Sequence, residues 1–356
     1  MKQPINILIY RLGSLGDTVI ALPFFHRVLE LFPDAEISLL TNKPVMSKAA
    51  PLEAVLGKNT FFSNTLSYPV GTRNPLLLAS LIKDIRKLNI DTVINLTALR
   101  SAQADKRDKL FFKAAGVSQF VGFDNAPEDY KVNLDPKTGF FEWETVRLAR
   151  KIEALGTFDF HQQKYWNLKL SEEEIRKADE LLKSLPVNEP FIAINVGTKM
   201  EIKNWGLENW VTLVESLNAD YSDKALVVIG VAEESPLAEA CIKGWQGEKL
   251  NLCGMSSPRV SAAILKRAEL FIGHDSGPMH LAACVGTKCV AVFSCINQPR
   301  QWFPRGANNQ VVLPDTACLS SGVKACSNPD KKCILTIQPS EVKKAVYKVF
   351  NKEMVE

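Results

Sequence analysis

The stretch INILIYRLGSLGDTVIALPFFHRVLELF (residues 5–32) joins an apolar run to a helical pattern through a glycine-containing loop. INILIY (5–10) is typical of a buried β-strand, and TVIALPFFHRVLELF (18–32) of an amphipathic helix. A strand that leads through a short loop into a helix is the first part of a βαβ unit. This stretch therefore predicts an α/β fold with a parallel sheet.

The same alternation continues along the first half of the chain. Further strands are predicted at 35–41, 91–97 and 119–123, and further helices at 75–88 and 107–116. Strands that alternate with helices indicate a parallel sheet covered by helices on both faces.

The second half begins with a charged helix at 171–185, in which Ser171 and Glu174 form a capping box. PVNEP (186–190) ends it, and nearly all-apolar strands follow, as expected for strands covered on both faces. These strands are predicted at 191–197, 225–231, 270–277 and 289–295, with helices at 277–286 and 339–350.

The two patterns predict two doubly wound, Rossmann-like halves in series. We expect one domain over 1–170, a second over 171–338, and a final helix within 339–356. Ligands in such sheets bind beyond the carboxyl ends of the strands, and the cleft between two facing domains is the expected active site.

Composition excludes several classes of protein. The 356 residues carry 43 Lys/Arg against 39 Asp/Glu, an excess of +4 that is too small to indicate nucleic-acid binding. KDIRK (83–87) and ADKRDK (104–109) could contact an anionic surface, although solvated helix faces are the commoner explanation of such clusters. No apolar run is long enough to span a membrane and no signal peptide is recognisable, so we expect a cytoplasmic protein.

All eight cysteines lie in the second half, where we expect reduced thiols that are mostly buried. Cys318, Cys326 and Cys333 share a polar loop, but they form no CxxC pair and have no histidine nearby in sequence. No metal site is therefore expected there.

The opening loop GSLGD (13–17) matches neither the GxGxxG dinucleotide motif nor the P-loop. Gly13 and Gly16, with Ser14 between them, allow a tight turn and a close approach to a ligand. Asp17 stands at the start of the helix, where a carboxylate serves either as a catalytic base or as a helix cap. The residues alone favour neither role.

LFIGHDSGPMHLAACVG (270–286) predicts a strand, a turn and a helix. Ser276 and Gly277 would leave backbone N–H groups free at the helix start, which is a ready anion site, and His280 could add a donor. Asp275 would orient the loop by accepting backbone N–H bonds. The alternative is a plain connection with a core histidine.

Two further loops follow predicted strands. After 191–197, Thr198 offers a hydroxyl, and Lys199 or Lys203 could meet a phosphate as a point charge. After 225–231, Glu233 and Glu234 could accept hydrogen bonds from two ribose hydroxyls. Each signal is weak alone, because solvated loop residues have the same composition.

Together these motifs resemble glycosyltransferase family 9, the ADP-heptose:lipopolysaccharide heptosyltransferases. The resemblance rests on motifs that recur in order over nearly the whole chain. They are RLGSLGDTVIALP (11–23), GTKMEIKNW (197–205), ELFIGHDSGPMHLAACVGTKCVAVF (269–293), QPRQWFP (298–304) and CSNPDKKCILTIQPSEV (326–342).

The resemblance implies a GT-B fold, with an acceptor-binding first domain, a donor-binding second domain and a last helix that packs back on the first. It implies a transfer of heptose from ADP-heptose to a lipopolysaccharide core acceptor, with inversion and without a metal or other cofactor. The acceptor would be a lipid-linked glycan, so transient contact with the inner face of the cytoplasmic membrane is expected.

The resemblance also assigns residues by their position in the motifs. Asp17 matches the general base, and Lys203, beside Thr198, matches the lysine that neutralises the donor diphosphate. Either Glu233 or Glu234 matches the ribose-binding glutamate. The donor segment is matched by Asp275, Ser276, Gly277 and His280, with Ser276 where threonine is commoner.

Other functions remain open at this point. A family-9 enzyme could use another nucleotide sugar, or a protein or capsule acceptor. A sugar-nucleotide epimerase with a GT-B fold fits less well, because those enzymes lack the GSLGD and DSGPMH pair. A catalytically silent nucleotide-sugar binder would have no need of Asp17.

Overall fold

The structure is a computed structural model that describes residues 5–43, 50–124, 126–186, 189–315 and 333–351. The chain divides into two compact units, Met1–Lys169 and Leu170–Glu356. Each unit is built on its own parallel β-sheet with helices packed against it.

The sheet of the first unit has five parallel strands in the order β3-β2-β1-β4-β5. The strands are β1 (Asn6–Tyr10), β2 (Glu36–Asn42), β3 (Asn64–Tyr68), β4 (Thr92–Asn95) and β5 (Gln119–Val121). The helices are α1 (Leu15–Leu31), α2 (Leu52–Leu56), α3 (Pro75–Lys87), α4 (Ala102–Ala114) and α5 (Glu144–Lys151).

The direction of each crossover decides which face of the sheet its helix covers. The connections through α1 and α2 run toward the β3 edge, whereas those through α3 and α4 run toward the β5 edge. Because such crossovers are right-handed, α1 and α2 share one face and α3 and α4 share the other.

Helix α1 differs from the amphipathic helix that the sequence predicts. Every residue from Thr18 to Phe25 is buried, since the helix lies on the sheet and also packs against α2, α5 and the 3-10 turn Gln163–Trp166. Its apolar residues therefore have to surround the helix instead of forming a single stripe.

Four other elements of this unit differ from the prediction, and two of them are the helices α2 and α5, which were not predicted. Strand β3 was not predicted, because NTLSY is a polar, half-buried strand at the edge of the sheet. Helix α4 begins at Ala102, before the predicted start at 107, because the Ser101 hydroxyl accepts the Ala104 N–H at 3.2 Å and caps the helix there.

The sheet of the second unit has six parallel strands in the order β11-β10-β9-β6-β7-β8, the order of a doubly wound dinucleotide-binding fold. The strands are β6 (Phe191–Asn195), β7 (Ala225–Val228), β8 (Lys249–Asn251), β9 (Leu270–His274), β10 (Lys288–Val292) and β11 (Gln310–Val312). The helices are α6 (Glu172–Leu182), α7 (Leu207–Tyr221), α8 (Ser235–Ile242), α9 (Pro258–Leu265), α10 (Gly277–Val285) and α11 (Pro339–Phe350).

The capping box predicted for α6 is confirmed. Ser171 Oγ accepts the Glu174 N–H at 3.2 Å, and Glu174 Oε2 accepts the Ser171 N–H at 2.8 Å. The last helix, α11, packs on the sheet of its own unit through Val342 and Val346. The expected packing of this helix on the first domain stays a prediction.

The longest helix in the described part of the chain is α1, with 17 residues. Within those same residues, no helix has both the length and the apolar composition that a membrane crossing requires.

Candidate functional site

Asp17 lies in the first turn of α1, just beyond the carboxyl end of β1. Its Oδ2 atom accepts hydrogen bonds from the Ser14 backbone N–H at 2.8 Å and from the Ser14 hydroxyl at 2.9 Å. The carboxylate therefore does cap the helix, as one of the two sequence interpretations holds. Its Oδ1 atom is not used by Ser14 and faces the Arg11 guanidinium at 3.7 Å.

The backbone conformation of the loop depends on Gly13. Its φ is +143°, and a Cβ built there would lie 2.4 Å from Asp17 Cβ. Any other residue would therefore be strained and would collide with the Asp17 side chain. The Gly13 N–H donates to Asn42 Oδ1 at 2.7 Å, which ties the loop to the end of β2, and Gly16 is buried in the first helical turn.

Arg11 supports this loop from beneath, and the sequence interpretation did not single it out. Its guanidinium is fully buried and donates to the backbone carbonyls of Asp17 and Leu96. Burial lowers the pKa of Arg11, and the nearby carboxylate of Asp17 opposes that shift. The only sign of this role in the sequence is that Arg11 directly follows the apolar run INILIY (5–10).

Other buried charges lie in the same unit. Arg147 and Glu144 form a bidentate pair with N–O distances of 2.5 and 2.9 Å, and both are almost fully buried. Lys151 Nζ lies 3.5 Å from Asp105 Oδ2, and burial lowers the pKa of Lys151 to about 7. Because these ion pairs are buried, removal of one partner would leave an uncompensated charge in the interior and would destabilise the fold.

The first unit also contains a cavity of about 620 Å³ at the carboxyl ends of β1 and β3, beside α3 and α4. Its wall is mainly apolar and includes Leu78, Leu81, Phe111 and Phe112. Three arginines also line it, Arg73, Arg100 and Arg107. Sequence reasoning missed this cavity, because its lining comes from five separate elements, β1, β2, β3, α3 and α4, and from the loops between them.

A polar network lies at the side of this cavity. The Tyr10 and Tyr68 hydroxyls are 2.7 Å apart, and the Tyr10 hydroxyl donates to Asp108 Oδ2 at 3.0 Å. Arg100 donates to the same carboxylate oxygen at 2.6 Å, and Arg107 donates to Asp108 Oδ1. Burial raises the pKa of Tyr10 far above its usual range, so its hydroxyl stays protonated.

In the second unit, the Lys203 ammonium donates to Asp275 Oδ2 at 2.6 Å and to the Asp275 carbonyl at 3.3 Å. Asn297 Nδ2 donates to the same carboxylate oxygen at 2.5 Å. The expectation that Asp275 accepts backbone N–H bonds is wrong in the described structure, because these two side chains use its carboxylate instead. Asn297 was not predicted.

His274, at the end of β9, connects this strand to the loop that carries Lys203. Its Nε2 accepts the Trp205 N–H at 3.1 Å, so the ring proton is on Nδ1, which donates to the Gly197 carbonyl at 3.3 Å. Complete burial lowers the pKa of His274 to about 4, and the ring is therefore neutral near pH 7. The sequence interpretation did not assign His274 a role.

Helix α10 begins at Gly277 with no side-chain hydrogen bond at its N-cap, Ser276. The Ser276 hydroxyl instead donates to Asn195 Oδ1 at 3.3 Å. The Ser276 side chain therefore does not cap the first-turn N–H groups of the helix. An anion site at a helix start requires first-turn N–H groups that the N-cap side chain leaves uncapped. His280 is buried in this helix, with its ring 6.3 Å from that of Trp302.

The two neighbouring glutamates have different surroundings. Glu233 is exposed, whereas the Glu234 carboxylate lies against the ends of β6 and β7 and accepts the Val231 N–H at 3.1 Å. A Cβ on Gly197 would lie 1.9 Å from Glu234 Cδ, and one on Gly230 would lie 2.4 Å from Glu234 Oε2. Both glycines therefore make room for this side chain.

The second unit thus brings together most of the site residues that the sequence suggested there. Lys203, Glu234, Asp275, Ser276 and Gly277 gather at the carboxyl ends of β6, β7 and β9, which are adjacent strands. Thr198 is half-buried in the same loop, where its hydroxyl accepts the Met200 N–H at 3.3 Å. Asp17, Gly13, Ser14 and Gly16 belong to the first unit.

All six cysteines in the described residues are buried free thiols, as predicted. Burial raises the pKa of Cys241, Cys253 and Cys284 to about 12, which leaves these thiols unreactive. Cys318 and Cys326 lie outside the described residues, and Cys333 Sγ lies 2.8 Å from Cys295 Sγ. The described part of the chain gathers no set of three metal-ligating side chains.

Comparison with known proteins gives concordant matches. The family model of glycosyltransferase family 9 (heptosyltransferase) matches residues 78–332. Lipopolysaccharide heptosyltransferase 3 of Escherichia coli (strain K12) is 26% identical over 289 residues, which cover 78% of this chain and 79% of the relative.

Two solved structures show the same fold at low sequence identity. A family 9 glycosyl transferase from Veillonella parvula DSM 2008 superposes with a TM-score of 0.73 at 20% identity, covering 97% of each chain. E. coli heptosyltransferase WaaC with ADP-2-deoxy-2-fluoro heptose superposes with a TM-score of 0.60 at 16% identity, covering 96% of this chain and 99% of that one. The predicted GT-B fold is confirmed.

Proposed function

Because this chain belongs to glycosyltransferase family 9, we propose that it transfers a heptose from ADP-heptose to a lipopolysaccharide core acceptor, with inversion and with Asp17 as general base. The observation that carries the donor half of this proposal is the group of Lys203, Glu234 and Asp275 beside the start of α10. The E. coli relative is a lipopolysaccharide heptosyltransferase, and the superposed WaaC structure contains an ADP-heptose analogue.

In this proposal, Lys203 and α10 receive the diphosphate of the donor. An ammonium has three N–H donors, and Asp275 accepts two from Lys203, which leaves one for a phosphate oxygen. The uncapped first turn of α10 offers further N–H groups and the positive end of its helix dipole. Asp275 lies against the lysine and Asn297 holds the Asp275 carboxylate, so the two side chains orient Lys203 toward the donor.

We assign the donor ribose to Glu234 and not to Glu233. The Glu234 carboxylate lies over two glycines at the strand ends, while Glu233 is exposed to solvent. A carboxylate can accept hydrogen bonds from both ribose hydroxyls at once. Thr198 lies in the same loop as Lys203 and supplies a hydroxyl next to it, and His280 anchors α10 from its buried side.

The chemical step needs only one proton acceptor. Asp17 takes the proton of the acceptor hydroxyl, whose oxygen forms a bond to the anomeric carbon of the heptose. The bond from that carbon to the ADP oxygen breaks, and ADP leaves with the electron pair. Ser14 fixes Oδ2 of the carboxylate, and Oδ1 serves as the base.

The cavity of the first unit is our candidate for part of the acceptor site. Its arginines, Arg73, Arg100 and Arg107, suit the acidic groups of a lipopolysaccharide core. Only Asp108 offsets them among the lining residues, and its carboxylate is already bonded to two of them.

A single experiment tests the reaction as a whole. The protein is incubated with ADP-heptose and a lipid A-linked core acceptor in EDTA, and the product is followed by mass spectrometry and its anomeric configuration by NMR. We expect an inverted heptoside and ADP. Thermal stabilisation is measured in parallel with ADP, UDP and GDP, and a preference for UDP or GDP would contradict the assigned donor.

A further inference from the structure

An unusual group of exposed apolar side chains lies on α3, α4 and the loop before α3. The exposed fraction is 80% for Leu76, 47% for Leu77, 66% for Leu110 and 50% for Val70. Single exposed leucines are common on soluble proteins, but several on two neighbouring helices are not. These four side chains therefore indicate a contact surface.

Basic side chains accompany these leucines. Residues 70–116 contain nine Lys/Arg and four Asp/Glu, a net charge of +5 that exceeds the +4 of the whole chain. Two of the four acidic residues, Asp105 and Asp108, are buried. Asp84 is the one acidic residue of α3 and α4 that is not buried. The exposed basic residues of the two helices are Lys83, Arg86, Lys87, Lys106, Arg107 and Lys113.

The topology puts both groups on the same side of the sheet. Helices α3 and α4 cover one face of the first sheet together, and Arg86 joins them by donating to the Ala114 carbonyl at 2.6 Å. On α3, Leu76 lies opposite the cavity-lining Leu78, and on α4, Leu110 lies opposite the buried Phe112. Both leucines therefore point away from the sheet. We call this surface the α3–α4 face.

We propose that the α3–α4 face binds the surface of a lipid bilayer that contains anionic phospholipid. Basic residues beside exposed leucines are the pattern of helices that lie in a membrane interface, where the apolar side chains enter the acyl boundary. A nucleic acid or an acidic protein surface would satisfy the lysines but would leave the aliphatic side chains without apolar partners. The bilayer satisfies both.

This inference deepens the proposed function and rests on it in one respect, that a lipid-linked acceptor gives the enzyme a reason to meet a membrane. The basic clusters KDIRK (83–87) and ADKRDK (104–109) are by themselves typical of solvated helix faces. Because exposed leucines lie on the same face, we interpret these clusters as part of a membrane-binding surface. The cavity wall provided by α3 and α4 is adjacent to the same face.

The test measures co-sedimentation of the whole protein with vesicles of phosphatidylcholine, alone or mixed with phosphatidylglycerol, without donor or acceptor. We expect binding to the mixed vesicles, weak binding to neutral ones, and a decrease with added salt. Each lysine near an anionic surface raises the vesicle partition coefficient about five-fold. The triple variant Lys83→Glu/Lys106→Glu/Lys113→Glu is therefore expected to lower the partition coefficient by about 100-fold or more.

A second variant tests the apolar part of the contact. Leu76→Ser/Leu110→Ser is expected to lower partition by about ten-fold, because two leucines no longer leave water. Matched controls are Lys243→Glu/Lys266→Glu/Lys344→Glu and Met255→Ser, which change exposed residues of the second unit. The controls are expected to bind like the unchanged protein, and circular dichroism checks that each variant is folded.

Two results would overturn the inference. One is an unchanged protein that does not bind the mixed vesicles. The other is a leucine variant that binds the mixed vesicles as well as the unchanged protein does, which would show that the leucines take no part and that the face requires only an acidic surface. Transfer to a water-soluble core oligosaccharide is measured separately and should be equal in all variants. A failure of the proposed reaction would appear in that assay alone.

Discussion

The carboxylate of Glu234 occupies the space that a methyl group on Gly197 would need. A Cβ at Gly197 would lie 1.9 Å from Glu234 Cδ and 2.0 Å from Oε1. The two residues belong to different loops, at the ends of β6 and β7, so the glycine of one loop makes room for the acid of the other.

Gly197→Ala is therefore expected to displace Glu234 and to weaken ADP binding by about 10-fold, as for the loss of hydrogen bonds to a charged group. Isothermal titration with ADP measures this effect. Gly244→Ala is the matched control, because its Cβ would meet the nearest atom at an ordinary 3.4 Å. Equal ADP affinity in both variants would remove Glu234 from the ribose site.

Asp17→Asn is expected to lower the transfer rate by about 10²–10⁴-fold, as is usual for the loss of a general base. The amide oxygen still accepts the two Ser14 hydrogen bonds, so the helix stays capped and the melting temperature changes little. ADP affinity should be unchanged. Asp34→Asn, in an exposed turn, is the control, and normal turnover by the Asp17 variant would exclude Asp17 as the base.

Lys203→Ala is expected to weaken ADP binding by about 10- to 100-fold, since a charge-assisted hydrogen bond to phosphate is lost. It also leaves the Asp275 carboxylate, which is only 5% exposed, with Asn297 as its remaining side-chain partner in the described structure. We therefore expect lower thermal stability, and partial recovery in Lys203→Ala/Asp275→Asn, which removes the charge. Recovery should restore stability but not ADP affinity.

Lys199→Ala is the control for that experiment. Lys199 lies in the same loop and is exposed, so its removal should change ADP affinity by less than about two-fold. Equal losses from the two alanine variants would mean that general loop charge, and not the position of Lys203, attracts the nucleotide.

The pH dependence of stability should report on His274. Its pKa is lowered to about 4 by burial, from an unfolded value near 6.5. The neutral ring therefore stabilises the fold fully above pH 6.5, and that stabilisation is lost as the pH falls from 6.5 to 4. The loss amounts to about 3 kcal/mol, since one pKa unit corresponds to about 1.4 kcal/mol.

Denaturant titrations at several pH values measure this loss. In His274→Gln the free energy of unfolding should fall less steeply between pH 6.5 and pH 4, whereas His161→Gln, at an exposed position, should retain the steep dependence. An identical slope in the unchanged protein and in His274→Gln would show that other groups cause the dependence.

Much of the fold can be read from the sequence, because central parallel strands are continuous apolar runs. Strands β1, β6 and β9 are buried along almost their whole length and were all predicted. Three of the four edge strands in the described sheets, β3, β8 and β11, were not predicted, since they are short, half-buried and polar in part, whereas the fourth, β5, was predicted. An edge strand is defined by its neighbour more than by its own residues.

The site was predictable only where a motif is local. Asp17 and Ser14 interact three residues apart, and Ser276 and Gly277 begin a helix together. Lys203 and Asp275 are 72 residues apart in the chain, so no sequence spacing predicts that their side chains form an ion pair.

The sequence also does not determine whether Glu233 or Glu234 matches the ribose-binding glutamate. The two acids are adjacent in a short 3-10 turn, Ala232–Glu234, and only the direction of that turn decides which one reaches the strand ends. The roles of Arg11 and His274 depend on buried backbone partners, Leu96 and Trp205, that lie far away in the chain.

The buried guanidinium of Arg11 accounts for an asymmetry between two halves of similar topology. In each sheet the chain reverses its winding direction between two central strands, β1 and β4 in the first and β6 and β9 in the second. Such a switch point is where a doubly wound sheet ordinarily admits a nucleotide. In the first half Arg11 fills that position and bonds to Leu96 beyond β4, whereas in the second half an uncapped helix begins there. The switch point is thus filled by a cation in the first half and lies beside a helix start in the second, where we propose that the nucleotide binds.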